Sequence, residues 1–174
     1  MSDHSQDSRL LRLLRHGWRD ADDARRALGA GTVERLAERV RQSELRHSGE
    51  IRICIEAGLP LSYLWRNASA RERAVTLFGK LRVWDTEHNN GVLIYLLLAE
   101  RRIEIIADRG LAAHVPESQW QALVEAMSCK FRDGFMEQGL EMALEAVSEL
   151  LRRHFPLESG ARDANELPDS PVIV

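Results

Sequence analysis

Eight consecutive apolar residues, Val92-Leu93-Ile94-Tyr95-Leu96-Leu97-Leu98-Ala99, form the longest such run in the chain. A bilayer-spanning helix takes roughly 20 residues, so this run is no membrane span. Turn residues bound it, Asn89-Asn90-Gly91 before and Glu100-Arg101 after. A short run of this kind reads as a strand buried on both faces. Such a strand must be covered by other elements on each side, which predicts a layered α/β domain.

The flanking sequence supplies those layers. Glu50-Ile51-Arg52-Ile53-Cys54-Ile55-Glu56 alternates with period two and is rich in β-branched residues, so it is a second strand. Arg102-Ile103-Glu104-Ile105-Ile106-Ala107 is a third, pairing with the apolar run as a hairpin. Between the first two lies a helix opened by the capping box Ser69-Ala70-Arg71-Glu72 and running to about Leu81. Thr32 is placed to cap a helix reaching about Arg46, and Val33, Leu36, Ala37 and Val40 share one face. Pro116 opens a helix with the stripe Trp120, Leu123, Val124, Met127 and Phe131. A last helix runs from about Glu137 to His154. The order is α-β-α-β-β-α-α. The expected architecture is a small mixed sheet of three or four strands sandwiched between helices, with Rossmann-like α/β/α layering.

The division expected is an N-terminal helical extension over 1–30, the α/β domain over 31–155, and an acidic flexible tail over 156–174 whose apolar Val172-Ile173-Val174 end either docks or stays free. In the extension, Leu10, Leu11, Leu13, Leu14 and Trp18 are interspersed with Arg9, Arg12, Arg15 and Arg19. This basic amphipathic pattern suits a helix packed on its own domain, or one docking on a membrane surface or a partner. Membrane contact is expected only through residues 8–19. The polar N-terminus lacks the apolar core of a signal peptide, and the expected location is cytoplasmic. A net charge of −3 over 174 residues gives no global pull toward nucleic acid, which is not an expected partner. Two cysteines exclude a disulfide framework; Cys54 and Cys129 read as reduced core thiols, and Trp65 and Trp84 as packing residues.

Strand direction concentrates the polar residues. A helical crossover makes the first two strands parallel, and the hairpin makes the third antiparallel. Glu50, the loop Asp85-Thr86-Glu87-His88-Asn89-Asn90-Gly91 and the loop Asp108-Arg109-Gly110 then meet at one sheet end. Glu50, Asp85, Glu87, His88, Asn89, Asn90, Asp108 and Arg109 gather there. Such oxygen donors suit a hard divalent cation, Ca²⁺ or Mg²⁺, with Asp85, Glu87 and Asp108 as the ligands expected. The loop is no EF-hand: Gly91 falls at the seventh position and Leu96 occupies the twelfth. The plainer alternative is turn chemistry alone, with Asn90 and Gly91 fixing the backbone and Gly91 at positive φ.

Ser48-Gly49-Glu50-Ile51-Arg52-Ile53, Asn89-Asn90-Gly91-Val92-Leu93-Ile94, Arg102-Ile103-Glu104-Ile105 and Asp108-Arg109-Gly110-Leu111 together resemble the TPM-domain family, as does Phe131-Arg132-Asp133-Gly134. The resemblance covers about residues 32–154 and implies an α/β sandwich on a small central sheet. It implies relatives that bind calcium, a plant thylakoid relative associated with acid phosphatase activity, and a LemA-type neighbour as partner. Carried over, the family's acidic pocket uses Asp85, Asn89, Asn90 and Asp108. The chain departs from the family where many relatives carry Gly-x-Gly-Leu-Glu: here Asp108-Arg109-Gly110-Leu111-Ala112 lacks the Glu.

Two functions follow as expectations. One is a non-catalytic binding or accessory module holding a divalent cation. The other is a metal-assisted phosphatase for phosphomonoesters, in which the cation polarises a phosphoryl oxygen and activates water. Arg109 would then steady the phosphate, and Asp85 or Asp108 orient the water.

Overall fold

The computed structural model describes residues 12, 16, 21–157 and 165–174. Two helices, α1 (Ala21–Leu28) and α2 (Thr32–Glu44), lead into strand β1 (Ile51–Glu56). A five-residue helix α3 (Leu61–Trp65) and α4 (Ala70–Lys80) cross to β2 (Val92–Leu97). A 3-10 turn at Leu98–Glu100 leads to β3 (Arg102–Ala107) and the short α5 (Arg109–Ala112). Helices α6 (Glu117–Arg132) and α7 (Met136–His154) follow, and β4 (Val172–Ile173) completes the described elements.

The sheet order is β3-β2-β1-β4. β1 runs parallel to β2, with Ile51 beside Val92 and Glu56 beside Leu97. β3 is antiparallel to β2, with Val92 opposite Ala107. Every residue of β1 and β2 is buried. Ile51, Ile53, Ile55, Val92, Ile94, Leu96, Ile103 and Ile105 fill one core with α1, α2, α6 and α7. Cys54, Leu93, Tyr95, Leu97 and Ile106 face the other core, under Ala70, Ala74 and Leu77 of α4. Each fully buried Ile or Leu contributes about 1.5–3 kcal/mol, so this double-sided burial dominates the stability. Among the described residues no helix is long and apolar enough to cross a membrane.

Polar residues in the layers are tied down. At the carboxyl end of β1 the buried Glu56 carboxylate accepts from Tyr95 Oη at 2.6 Å and from Arg73 Nε and Nη2 at 2.9 and 2.5 Å. Arg35 of α2 clamps Glu137 of α7 at 2.6 and 2.9 Å. Buried Ser43 joins Ser148 at 2.6 Å and His47 Nε2 at 2.8 Å, which fixes α2 on α7 just before β1.

Several expectations meet a different arrangement. Thr32 is the first helical residue rather than the cap; Gly31 takes the cap position at φ 76, and the Thr32 hydroxyl donates back to Leu28 O at 2.8 Å. The tail expected to be flexible is, over residues 165–174, packed on the sheet. Val172 and Ile173 pair in parallel with Cys54 and Ile55. Leu167 is buried in the α4-side core, and the Arg52 guanidinium holds the carbonyls of Pro168 and Ser170. Burying Leu167 and satisfying the free edge of β1 repays the ordering of this short segment. Cys129, Trp65 and Trp84 are exposed rather than core residues. The amphipathic helix expected at 8–19 lies outside the described residues except for Arg12 and His16, which have helical backbones.

Candidate functional site

Glu50 immediately precedes β1, Gly91 precedes β2 and Asp108 follows β3. The registers bring all three to one end of the sheet. Val92 N–H donates to Glu50 O at 2.8 Å, and Asp108 N–H donates to Gly91 O at 2.9 Å. The loop 85–91 curls over this end. Asn89 adopts φ 52, its N–H reaches Thr86 O at 3.2 Å, and Asn90 N–H reaches Thr86 Oγ1 at 3.1 Å. A left-handed residue and a hydroxyl acceptor three or four positions back close the turn, which suits Asn and Thr.

Glycine serves here through close approach. Gly91 is not at positive φ, contrary to expectation. A Cβ on it would lie 1.9 Å from the Val83 carbonyl oxygen. A Cβ on Gly110 would lie 2.5 Å from Asn89 O and 2.6 Å from His88 O, because Gly110 N–H donates to Asn89 O at 2.8 Å. Loop and α5 therefore meet backbone to backbone, and two carbonyl oxygens line the contact.

Two buried oxygens at this end are without a hydrogen-bond partner: Asn90 Oδ1 and Asp108 Oδ2. Asn90 is fully buried (0% exposed), and its Nδ2 donates to Ser48 O at 3.0 Å, which fixes the amide and leaves Oδ1 unmatched. Asp108 Oδ1 accepts from Arg109 N at 2.7 Å and caps α5, leaving Oδ2. Arg109 is exposed, with Nε on Asn89 Oδ1 at 2.9 Å.

The other residues of this end sit differently. Asp85 and Glu87 are exposed on the loop, and Arg82 stands 4.0 Å from the Asp85 carboxylate. His88 is exposed. Glu50 is buried and its carboxylate accepts from Glu166 N at 3.2 Å and Leu167 N at 3.1 Å. The Glu166 carboxylate in turn accepts from Glu87 N at 3.1 Å. Glu50 thus holds the C-terminal segment. Among the described residues no three His, Cys, Asp or Glu side chains come together as a ready metal cage. The donor set present is one carboxylate oxygen, one amide oxygen and nearby carbonyls, which is chemistry for a hard cation rather than for zinc.

Sequence reasoning missed Ser48, Thr86 and Glu166. Ser48 and Thr86 act by accepting hydrogen bonds from Asn90, which leave no periodic trace. Glu166 reaches the loop from 79 residues away.

An open mixed sheet with parallel central strands and helices on both faces defines an α/β sandwich. The TPM domain model matches residues 21–150, and the chain belongs to the TPM-domain family. The NMR structure of the BA42 protein from the psychrophilic bacterium Bizionia argentinensis is similar, with 27% identity and a TM-score of 0.70. That match covers 83% of this chain and 93% of BA42. The solution NMR structure of the N-terminal domain of a P. gingivalis protein shares the fold at 18% identity and a TM-score of 0.59, covering 80% of this chain and 97% of that one. No curated protein matches the sequence.

Proposed function

We propose that this chain is a non-catalytic binding module of the TPM type that holds a divalent cation, Ca²⁺ or Mg²⁺, at the Asn90–Asp108 end of its sheet. The observation that supports the reading is the pair of unmatched buried oxygens, Asn90 Oδ1 and Asp108 Oδ2. A buried acceptor left unsatisfied costs about 1–3 kcal/mol, and a hard cation relieves it. Asp108 supplies the charge, Asn90 a neutral oxygen, and Asp85 and Glu87 are the loop carboxylates that close over the ion. By family resemblance its partner is a LemA-type protein.

Thermal melts of the full chain in EDTA and in millimolar Ca²⁺ or Mg²⁺ test this. A ligand at 100 times its Kd stabilises the folded state by about 2.7 kcal/mol, a rise of a few degrees. Asp108→Asn, which keeps the helix cap, is expected to remove most of that rise. A melt indifferent to both ions overturns the reading. The exposed Arg109 guanidinium, held on Asn89 of the same loop, favours a second reading, metal-assisted hydrolysis of a phosphomonoester at the same place. Cation-dependent phosphate release lost in both Asp108→Asn and Arg109→Met would make the module an enzyme.

A further inference from the structure

The sheet order β3-β2-β1-β4 puts β3 at an outer edge. On the other side of the sheet the chain covers β1 itself: Val174 N–H donates to Ile55 O at 3.0 Å, and Ala57 N–H donates to Val174 O at 3.1 Å. β3 has no such neighbour among the described residues. It pairs residue for residue with β2 from Arg102 to Ala107, with neither a bulge nor a proline to blunt its outer side.

The hydrogen bonds fix which peptide groups face out. Asp108 N–H donates to Gly91 O, so the even-numbered residues of β3 turn toward β2, and Ile103 and Ile105 turn outward. Arg71 of α4 agrees with that direction, donating from Nη1 to Ile105 O at 2.7 Å. This carbonyl keeps a second lone pair. Among the described residues, Ile103 O and the N–H groups of Ile103 and Ile105 meet no partner. A row of unmet groups on a straight edge is a template for another strand.

This edge lies in an open groove of about 610 Å³. Trp120 and Val124 of α6 form one wall, packed in the same core as Ile103 and Ile105, and Arg71 stands on the other side. Charge is divided along the groove. Arg101 Nη1 donates to Arg132 O at 2.8 Å, so α6 ends beside the start of β3, and Glu117 at the start of α6 lies toward Ala107. Arg101 and Arg132 are exposed, and among the described residues they donate to a carbonyl and to the Cys129 thiol, with no carboxylate between them. The acids at that end are already engaged. Glu100 accepts from Arg12 Nε and His16 Nε2 at 2.9 and 3.2 Å, and Glu104 from Arg102 Nε at 3.1 Å.

We propose that the outer edge of β3 takes an extended peptide as a fifth, antiparallel strand, one with apolar side chains at alternate positions and an acidic carboxyl-terminal end. Running against β3, the peptide begins beside Glu117 and ends beside Arg101 and Arg132, where its acid meets two guanidinium groups. Alternate side chains fall on Trp120 and Val124, and those between face Arg71 and water. A second copy of the chain fits less well. α6 stands over β3, and a helix is about 10–12 Å across while paired strands lie about 4.8 Å apart. Joining two β3 edges antiparallel would drive one α6 into the other.

The test is fluorescence anisotropy of two labelled peptides titrated with the full chain, in EDTA so that the cation site plays no part. One is Lys-Thr-Val-Thr-Val-Thr-Asp, the other its reverse, Asp-Thr-Val-Thr-Val-Thr-Lys, both amidated at the carboxyl end. The first is expected to bind several-fold more tightly than the second. Arg101→Glu/Arg132→Glu changes two exposed positions and is expected to invert that preference, with an unchanged melt showing that the domain is intact. Binding of the first peptide is also expected to slow amide exchange at Ile103 and Ile105. No binding of either peptide at millimolar concentration overturns the proposal, as does equal or tighter binding of the reversed one. Unchanged exchange at Ile103 and Ile105 does the same. A dimer in light scattering that protects these amides without peptide assigns the edge to a second copy instead.

Discussion

The carboxylate of Glu50 accepts the backbone N–H of Leu167 at 3.1 Å, joining the start of β1 to a segment 117 residues later in the chain. The same carboxylate takes Glu166 N–H, and Arg52 holds two carbonyls of the same segment. Charge-assisted hydrogen bonds contribute about 1.5–3 kcal/mol each, so this side chain, with Arg52 and the β4 pairing, helps keep residues 165–174 on the sheet. Glu50→Ala is expected to free the segment while the rest of the domain stays folded. Cys54 is buried beside Val172, and burial pushes its thiol up to about 12. Release of β4 should therefore show as faster labelling of Cys54 by a thiol reagent and faster amide exchange at Val174, whose N–H donates to Ile55 O. Labelling at the wild-type rate would show that the segment is held without Glu50.

Gly110→Ala and Gly91→Ala should each destabilise the fold by about 2 kcal/mol or more, because the added Cβ meets backbone oxygens that cannot turn aside. Urea unfolding checks this. Gly29→Ala, where nothing lies within 4 Å, is the comparison: its cost comes from φ 85 alone. A Gly110→Ala melt equal to wild type would mean that loop and α5 separate easily.

Around Glu56 the charges are buried and paired. Arg73→Met should cost about 3–5 kcal/mol, since it strands the carboxylate. Tyr95→Phe removes one donor at 2.6 Å and should cost about 1–3 kcal/mol. Burial and the neighbouring Glu56 charge push the Tyr95 hydroxyl upward, so its ultraviolet titration should be absent until the protein unfolds in alkali. A denaturant series ranking Tyr95→Phe above Arg73→Met would contradict this ordering.

The His16 hydrogen bond and the Arg12 guanidinium hold the Glu100 carboxyl down at about 2. Its ordinary value is near 4.5, so this depressed carboxylate favours the folded state above that pH. The contribution is lost as pH falls from about 4.5 toward 2, where folded and unfolded forms both bind the proton. The shift is at most about 3 kcal/mol, and less after solvent screening at the partly exposed Arg12. Glu100→Gln should flatten the acid limb of the stability curve in this window, as followed by urea unfolding at successive pH values. An unchanged limb would show that the clasp does not feel the charge.

The strands and long helices were legible because burial leaves a period: two for residues 50–56, a continuous apolar stretch for 92–97, three and four for α6 and α7. Meeting of Glu50, Gly91 and Asp108 at one end follows from the direction of the crossover and of the hairpin. The short elements were not legible. α3 has five residues, α5 four and β4 two, too few for any period to emerge. Within the site, the role of Gly91 depends on where Val83 O lies, and that of Glu50 on a segment far along the chain. Asn90 carries turn chemistry in its sequence context, yet the isolation of its Oδ1 arises only once Ser48 has claimed its amide nitrogen. Pairwise geometry of that kind has no local signature.

β1 lies between β2 and β4, so among the described residues its outer edge is completed by residues 172–174. A ribosome adding about 5–20 residues per second needs roughly 3–13 s to travel from Ala107, the end of β3, to Val172. Through that interval the domain can assemble β3-β2-β1 while one side of its central strand stays open, an edge of the kind that invites pairing with another chain. Crowded, slow or stalled synthesis should therefore expose nascent copies to misassembly at Cys54 and Ile55, and the arrival of residues 172–174 acts as the latch that ends the risk.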